Sequence, residues 1–217
     1  MRAIRESLLA GLAGQLGHPR GVPGRAVAGV LNRVNNRTIA DAVDALGPAP
    51  GDVAADFGFG GGLGLGLLLD RVGESGYVHG IEFSPDMLER CRRRHRDEPR
   101  LCLQAGSILE LPLADGAIDC AITVNTLYFL PDLGRAAAEL TRVLRRGGRL
   151  VIGVGDPEAM AAMPFIRALP FERHGFRLRP VAEVDAALEA AGLTVIDHRR
   201  AGDGDRAPHL LVARRDR

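Results

Sequence analysis

The pattern of apolar and polar positions changes at about residue 50. Before that point, apolar residues recur every fourth position at Ile4, Leu8, Leu12 and Leu16, as on one stripe of a helix, and a second helix is predicted from about residue 25 to 46. Beyond it, short apolar runs alternate with longer helical patterns, which is typical of an α/β fold with a largely parallel sheet. The runs that predict strands are Val53–Phe57, Tyr77–Ile81, Leu101–Gln104, Ala117–Val124 and Leu150–Val154.

The helices between these strands have recognisable ends. Ser84 supplies a capping oxygen and Pro85 a fixed φ at the start of one helix, while Gly147 and Gly148 are expected to end another. Because strand–helix–strand crossovers are right-handed, these helices should cover both faces of the sheet. The predicted helices are Leu63–Val72, Pro85–Arg96 and Leu133–Arg145.

The last third of the chain departs from this rhythm. Residues 156–180 contain several prolines and a weaker periodicity, and we expect them to form a cap over a site. A final helix is predicted around Val184–Ala191, and the runs Leu193–Asp197 and His209–Ala213 should form an antiparallel pair that closes the sheet. The expected single domain, 1–217, is divided into an N-terminal helical cap, 1–47, a core, 51–154, and the cap segment, 156–180.

Composition excludes several classes of function. All 28 cationic residues are arginine, against 27 acidic residues, which gives a net charge of +1. Without lysine there is no Walker A phosphate loop and no Schiff-base chemistry, and the near-neutral balance gives no reason to expect nucleic acid as a partner. The three cysteines have no CxxC pair and one nearby histidine, His95, so we expect no metal site, and reduced thiols suit a cytoplasmic protein. No apolar run has the length of a membrane span.

The densest motif runs from Asp56 to Gly64, where an apolar strand ends in a carboxylate, turns through glycines and opens a helix. Such a loop lets a ligand press against bare backbone. The glycine spacing of a nicotinamide or flavin site fails in each register, because the third position is always a leucine. Asp56 instead suits a ligand that carries an amino group, and Glu82, at the end of the next strand, can accept both hydroxyls of a ribose.

These motifs resemble those of the class I S-adenosylmethionine-dependent methyltransferases, and more narrowly those of ubiquinone and menaquinone biosynthesis. The family motif acid-x-Gly-x-Gly is matched by Asp56 to Gly60, and the acid that ends the next strand by Glu82. Residues Ala117–Phe129 resemble the fourth strand and its loop, and Leu144–Leu150 the lead into the fifth. The resemblance implies a Rossmann-like sheet of seven strands, mostly parallel with an antiparallel last strand, and S-adenosyl-L-methionine as cofactor.

The resemblance also implies a set of cofactor-binding residues. Gly58 and Gly60 would approach the methionine and ribose parts, Asp56 would reach the amino group, and Glu82 would hold the ribose. The full set is Asp56, Gly58, Phe59, Gly60, Glu82, Phe83, Ser107, Ile108 and Asn125.

Three members of this set lie at the ends of other strands. Phe83 would lie against adenine, and Ser107, which replaces the family's usual Asp, would lie near the adenine edge. Asn125 would face both the donor and the methyl acceptor.

The implied activity is methyl transfer to oxygen, carbon or nitrogen of a small, partly hydrophobic molecule. Such an in-line displacement needs no metal and no covalent intermediate. The catalytic residue stays unassigned, with His18, Tyr128 and His174 as candidate proton acceptors. Two alternatives stay open: S-adenosylmethionine binding without methyl transfer, and a nucleotide-sugar or nicotinamide enzyme. We expect a monomer or homodimer with no membrane partner.

Overall fold

The computed structural model describes residues 35–162 and 176–216. Its seven strands are β1 (Val53–Phe57), β2 (Tyr77–Glu82), β3 (Leu101–Ala105), β4 (Ile118–Val124), β5 (Leu144–Val154), β6 (Leu193–Arg200) and β7 (His209–Arg215). Its helices are α1, described over 35–46, α2 (Leu63–Val72), α3 (Pro85–Arg94), α4 (Leu133–Val143), α5 (Pro157–Ala162) and α6 (Val181–Ala190), with a short 3-10 helix at Leu127–Phe129. The predicted helices and strands are therefore present throughout the described core.

The strands form one sheet in the order β3-β2-β1-β4-β5-β7-β6. All pairs from β3 to β5 are parallel, whereas β7 runs antiparallel between β5 and β6. The predicted α/β fold, with its antiparallel last strand, is confirmed. Because the carboxyl ends of parallel strands share one edge of a sheet, the residues after β1, β2, β3, β4 and β5 lie along that edge, together with the start of β7.

Helices cover both faces of this sheet, as expected from right-handed crossovers. On one face, α1, α2 and α3 bury Leu46, Leu65 and Leu88 against the strands. On the other face, α4 and α6 bury residues such as Leu140 and Leu188. The two apolar layers hold the strand ends in place, and the strand ends carry the candidate site.

The predicted boundary between α4 and β5 is wrong. Helix α4 ends at Val143 rather than Arg145, and β5 begins at Leu144, which is fully buried and pairs with Ile118. The next paired residues are Cys120 and Arg149, so β5 carries extra residues in a bulge. Gly147, expected to end the helix, takes its φ of 74° inside this bulge.

Some predictions fall on residues outside those that the structure describes. They are the first helix, through Ile4 to Leu16, the candidate His18, the first part of the second helix, 25–34, and most of the cap segment, with His174. Of the cap segment, α5 and residues 176–180 are described.

Candidate functional site

The glycine loop between β1 and α2 is shaped by left-handed backbone. Gly58, Gly60 and Gly62 have φ of 76°, 50° and 81°, values that side chains disfavour. The Gly58 N–H donates to the Ile81 carbonyl at 2.8 Å, which anchors the loop to β2. A Cβ on Gly58 would lie 2.6 Å from Thr126 Oγ1. The loop therefore has to remain bare, and it lies against the residues that follow β4.

Glu82, the last residue of β2, is buried and bridges two backbone segments. Its Oε2 accepts a hydrogen bond from the Gly60 N–H at 2.8 Å, and its Oε1 accepts one from the Ser84 N–H at 2.8 Å. Ser84 in turn caps α3, as predicted, by accepting from the Met87 N–H. These bonds hold the Glu82 carboxylate between the glycine loop and the start of α3.

Asp56 lies under the same loop. Its side chain is buried at 4% exposure, and α2 packs so closely that a Cβ on Gly64 would collide with the carboxylate. Burial, and secondarily the negative charge of Glu82, raises the pKa of Asp56 to about 8. Near neutral pH the carboxyl group is therefore mostly protonated, and a cationic group placed beside it would favour the carboxylate form.

The turn after β4 faces this loop. Asn125, with φ of 56°, has the one positive φ among the described non-glycine residues, and its N–H donates to the Gly153 carbonyl at 2.8 Å. Thr126, which sequence reasoning missed, has its Oγ1 within hydrogen-bond distance of the Val124 carbonyl, at 3.2 Å, and of the Phe57 carbonyl, at 3.4 Å, and it fills the space over Gly58. Its signal was its position next to Asn125, in a turn that has to meet the glycine loop.

The other predicted cofactor residues lie near the same edge with different environments. Phe59 is buried, and its ring packs against Gly80 beneath the loop. Phe83 is 55% exposed just beyond β2. Ser107, after β3, accepts from the Leu109 N–H at 3.2 Å, and Ile108 is buried in the core. The structure thus brings the predicted residues to one edge, and their individual roles stay predictions.

Tyr128 is the candidate proton acceptor that the structure describes. It is 3% exposed, and its hydroxyl accepts from the Gly155 N–H and donates to Asn125 Oδ1 at 3.3 Å. Burial raises the pKa of Tyr128 above its ordinary value. This hydroxyl therefore keeps its own proton near neutral pH and is not available there as a proton acceptor. Among residues 35–162 and 176–216, no group of three or more His, Cys, Asp or Glu side chains could hold a metal ion.

A polar row farther along the edge was not predicted from the sequence. Asp156, just after β5, accepts from Arg200 at 3.0 Å and contacts His209 Nε2 at 3.3 Å. His209 Nδ1 lies 2.7 Å from His198 Nε2 on β6. With strands about 4.8 Å apart, His198 is three strands, or about 14 Å, from β4, too far to act at the turn around Asn125.

The comparison with known families covers this part of the chain. Residues 55–152 match the family model described as "Methyltransferase domain". These residues are therefore similar to a methyltransferase domain. The segment runs from β1 almost to the end of β5 and contains the glycine loop, Glu82 and the turn at Asn125. The matched segment therefore includes the predicted donor-binding residues.

Individual relatives match about half of the chain. The chain is 46% identical over 118 residues to an uncharacterised 37.1 kDa protein in transposon TN4556 of Streptomyces fradiae, covering 54% of this chain and 34% of the relative. It is 32% identical over 106 residues to an arsenite methyltransferase of Halobacterium salinarum, covering 48% of this chain and 27% of the relative. The chain thus spans about a third or less of these relatives' length.

A solved structure shows the same fold. The crystal structure of an S-adenosylmethionine-dependent methyltransferase from Aquifex aeolicus superposes with a TM-score of 0.70 at 22% identity, over 84% of this chain and 92% of that one.

Within the part of the chain that the structure describes, no helix is long and apolar enough to cross a membrane.

Proposed function

We propose that this methyltransferase domain binds S-adenosyl-L-methionine and transfers its methyl group to a small, partly hydrophobic molecule. The observation that carries the proposal is the pair of buried acids, Asp56 and Glu82, on either side of a loop that has to remain bare. A ligand with an amino group, a ribose and a flat base matches these groups. A dinucleotide matches them less well, since its pyrophosphate would lie near the Glu82 carboxylate and would find no positive charge on Asp56.

The residues at the strand ends suit different parts of the donor. Glu82 would accept from the ribose hydroxyls while its bonds to Gly60 and Ser84 hold it in place. Asp56 would face the positive charge of the methionine part, close to Gly58. Phe83, with Ser107 and Ile108, would contact the adenine.

The acceptor would lie beyond Asn125, over the ends of β4 and β5. An apolar group stands there: Tyr128 and Phe176 have ring centroids 5.1 Å apart, Phe129 and Phe176 5.4 Å, and Met160 packs against the same cluster. The bound donor supplies a methyl group on a positively charged sulfur. The protein's part is to hold the acceptor in line about 3 Å from that carbon and to exclude water. Residues 1–47 and 156–180 would select the acceptor.

The setting proposed for this reaction is the cytoplasm, with the enzyme as a monomer or homodimer. The three cysteines are free thiols, with Cys91 and Cys120 buried, which suits a reducing compartment. The membership in the quinone-biosynthesis subgroup stays a prediction.

Thermal unfolding with added nucleosides tests donor binding. S-adenosylhomocysteine at about 100 times its dissociation constant should raise the free energy of unfolding by about 2.7 kcal/mol, whereas NAD should not. Glu82→Ala should lose most of that ligand-dependent rise. Glu89→Ala, which removes a surface partner of Arg93, should keep it. A rise with NAD alone, or one that Glu82→Ala retains, would refute the proposed site.

Transfer of a labelled methyl group to a panel of small acceptors then separates the enzyme from a protein that binds the donor without transfer. Labelled product from any acceptor supports the proposed activity. Donor binding with no turnover across oxygen, nitrogen and carbon acceptors would favour the binding protein.

A further inference from the structure

The Tyr128 hydroxyl joins the ends of β4 and β5. It accepts from the Gly155 N–H, just after β5, and donates to Asn125 Oδ1, just after β4, at 3.3 Å. Gly155 is a residue that permits this approach, because a Cβ there would lie 3.2 Å from the hydroxyl oxygen. The single proton of this hydroxyl is therefore committed to Asn125.

The tyrosine ring is fixed by contacts that do not involve the hydroxyl. It is buried, tilted by 32° against Phe176, and the Tyr128 carbonyl accepts from the Arg177 N–H at 2.8 Å. A phenylalanine at this position would keep all of these contacts. The hydroxyl thus adds the two polar contacts with Gly155 and Asn125, and packing does not depend on it.

The Asn125 side chain is the group that this hydroxyl orients. The Asn125 backbone is already set by its φ of 56° and by the bond from its N–H to Gly153. The side-chain amide of Asn125 could still rotate by half a turn, which would exchange the positions of its oxygen and its nitrogen. With Oδ1 accepting from Tyr128, the two N–H donors of Nδ2 point away from Tyr128, and among the described residues no hydrogen bond from Nδ2 is recorded.

The charge of the site favours this orientation of the amide. Asn125 is the neighbour of Thr126, whose Oγ1 lies against Gly58. Asn125 therefore stands beside the end of the glycine loop that is expected to meet the methionine part of the donor. That part carries a carboxylate as well as an amino group. Since Asp56 and Glu82 already supply acidic oxygens, a ligand carboxylate needs N–H donors around it.

We propose that Tyr128 is a positioning residue of the donor site, whose hydroxyl holds the Asn125 amide with its N–H groups toward the carboxylate of the donor's methionine part. The inference rests on the proposed function and deepens it. It reassigns Tyr128 from candidate base to a residue that acts through Asn125.

Two nucleosides distinguish this role from a general structural one. Their affinities are measured by calorimetry for the wild type, Tyr128→Phe, Asn125→Ala and the double variant. S-adenosylhomocysteine carries the amino-acid group, whereas 5′-methylthioadenosine lacks it. Asn125→Ala should weaken S-adenosylhomocysteine roughly tenfold, as expected for a lost hydrogen bond to a charged group, and Tyr128→Phe about threefold. Both should bind 5′-methylthioadenosine like the wild type.

The double variant tests whether Tyr128 acts through Asn125. It should bind S-adenosylhomocysteine no more weakly than Asn125→Ala alone, because neighbours that act through one contact are not additive. Tyr77→Phe, which removes the hydroxyl of the 55% exposed Tyr77, is the matched control and should change neither affinity.

Several results would overturn the inference. They are an unchanged S-adenosylhomocysteine affinity in Tyr128→Phe, equal losses for both nucleosides, and additive losses in the double variant. If Tyr128→Phe does not fold, Asn125→Asp replaces it, since a carboxylate in place of the N–H donors should selectively weaken S-adenosylhomocysteine. A wild-type protein that binds neither nucleoside would refute the proposed function itself, and this inference with it.

Discussion

Asp56 shows how strongly one residue can couple the site to pH. Its pKa of about 8 reflects an acid removed from water beside a second acid, so it holds its proton near pH 7. A donor with a positive amino group and a positive sulfur would lower this pKa. Binding then has to release the proton, which makes affinity rise with pH up to about 8 and fall as the solution is acidified.

Proton release by Asp56 can be measured directly. S-adenosylmethionine binding near pH 7 should release about one proton, with affinity falling about tenfold per pH unit below the pKa. Calorimetry in buffers of different ionisation enthalpy gives the number of protons. Asp56→Asn should abolish the release, whereas Asp70→Asn, at an exposed position of α2, should not. Binding enthalpies that do not depend on the buffer would contradict the assignment to Asp56.

Helix α2 contains two glycines, one with crowded surroundings and one with open surroundings. A Cβ on Gly64 would collide with the Asp56 carboxylate and lie 2.9 Å from Ile122, whereas a Cβ on Gly66 would meet nothing within 4 Å. Both positions lie in the same helix, so alanine gains a similar helix propensity at each. The difference between the two variants therefore isolates the crowding around Asp56.

Gly66→Ala should raise the free energy of unfolding by about 0.5–1 kcal/mol, because glycine costs that much inside a helix. Gly64→Ala should lower it by about 1–3 kcal/mol, because the core is overpacked there. Urea unfolding of both variants checks this. Similar effects at the two positions would mean that α2 moves away from Asp56 without cost.

At the scale of the whole molecule, acid should destabilise the fold through the polar row at the end of the sheet. Burial, more than the charges of Arg200 and His198, lowers the pKa of His209 below 6.5, although Asp156 opposes this shift. The Ala159 N–H, and then Arg200, lowers the pKa of Asp156 from 3.8 to about 2. In both cases the unfolded chain takes up protons first, so the contribution of His209 to stability falls below about pH 6.5 and that of Asp156 falls below about 4.

Asp56 has the opposite effect, because the folded chain keeps its proton below a pKa of about 8 whereas the unfolded chain releases it. The free energy of unfolding of Asp56→Asn, measured by urea between about pH 7.5 and 4.5, should therefore decrease with acidification. Burial also lowers the pKa of His79, which adds to the slope. His209→Gln keeps an N–H for Asp156 without a titrating ring, so its free energy of unfolding relative to the wild type should rise as the pH falls from about 6.5 to 5. Equal slopes for this variant and the wild type would remove His209 as a source of the effect.

Local sequence signals predicted most of the fold. The bounds of β1 and α2 agree with the prediction, because an apolar run, a glycine turn and an apolar helical pattern follow one another without ambiguity. The end of α4 was missed, because Gly147 and Gly148 signal a helix end and a strand bulge equally well. The pairing of Leu144 with Ile118 is a long-range contact, and it places Gly147 and Gly148 in a strand bulge.

The same distinction between local signals and long-range contacts applies to the candidate site. Asp56 and Glu82 were predicted because each closes a strand and belongs to a motif. The environment of Tyr128 and the pairing of Asp156 with His209, 53 residues apart, depend on sheet register and on the placement of β7, which local patterns do not contain.

The bonds from Gly60 and Ser84 to Glu82 join groups of the chain itself and involve no part of a ligand. An incoming nucleoside therefore meets a turn whose shape is already decided, and it does not have to spend binding free energy on ordering that turn. Discrimination between nucleosides at this turn should consequently arise from fit to a rigid template. Sequence changes in residues 1–47 and 156–180, the segments proposed to select the acceptor, would then change the methyl acceptor and leave the methyl donor the same.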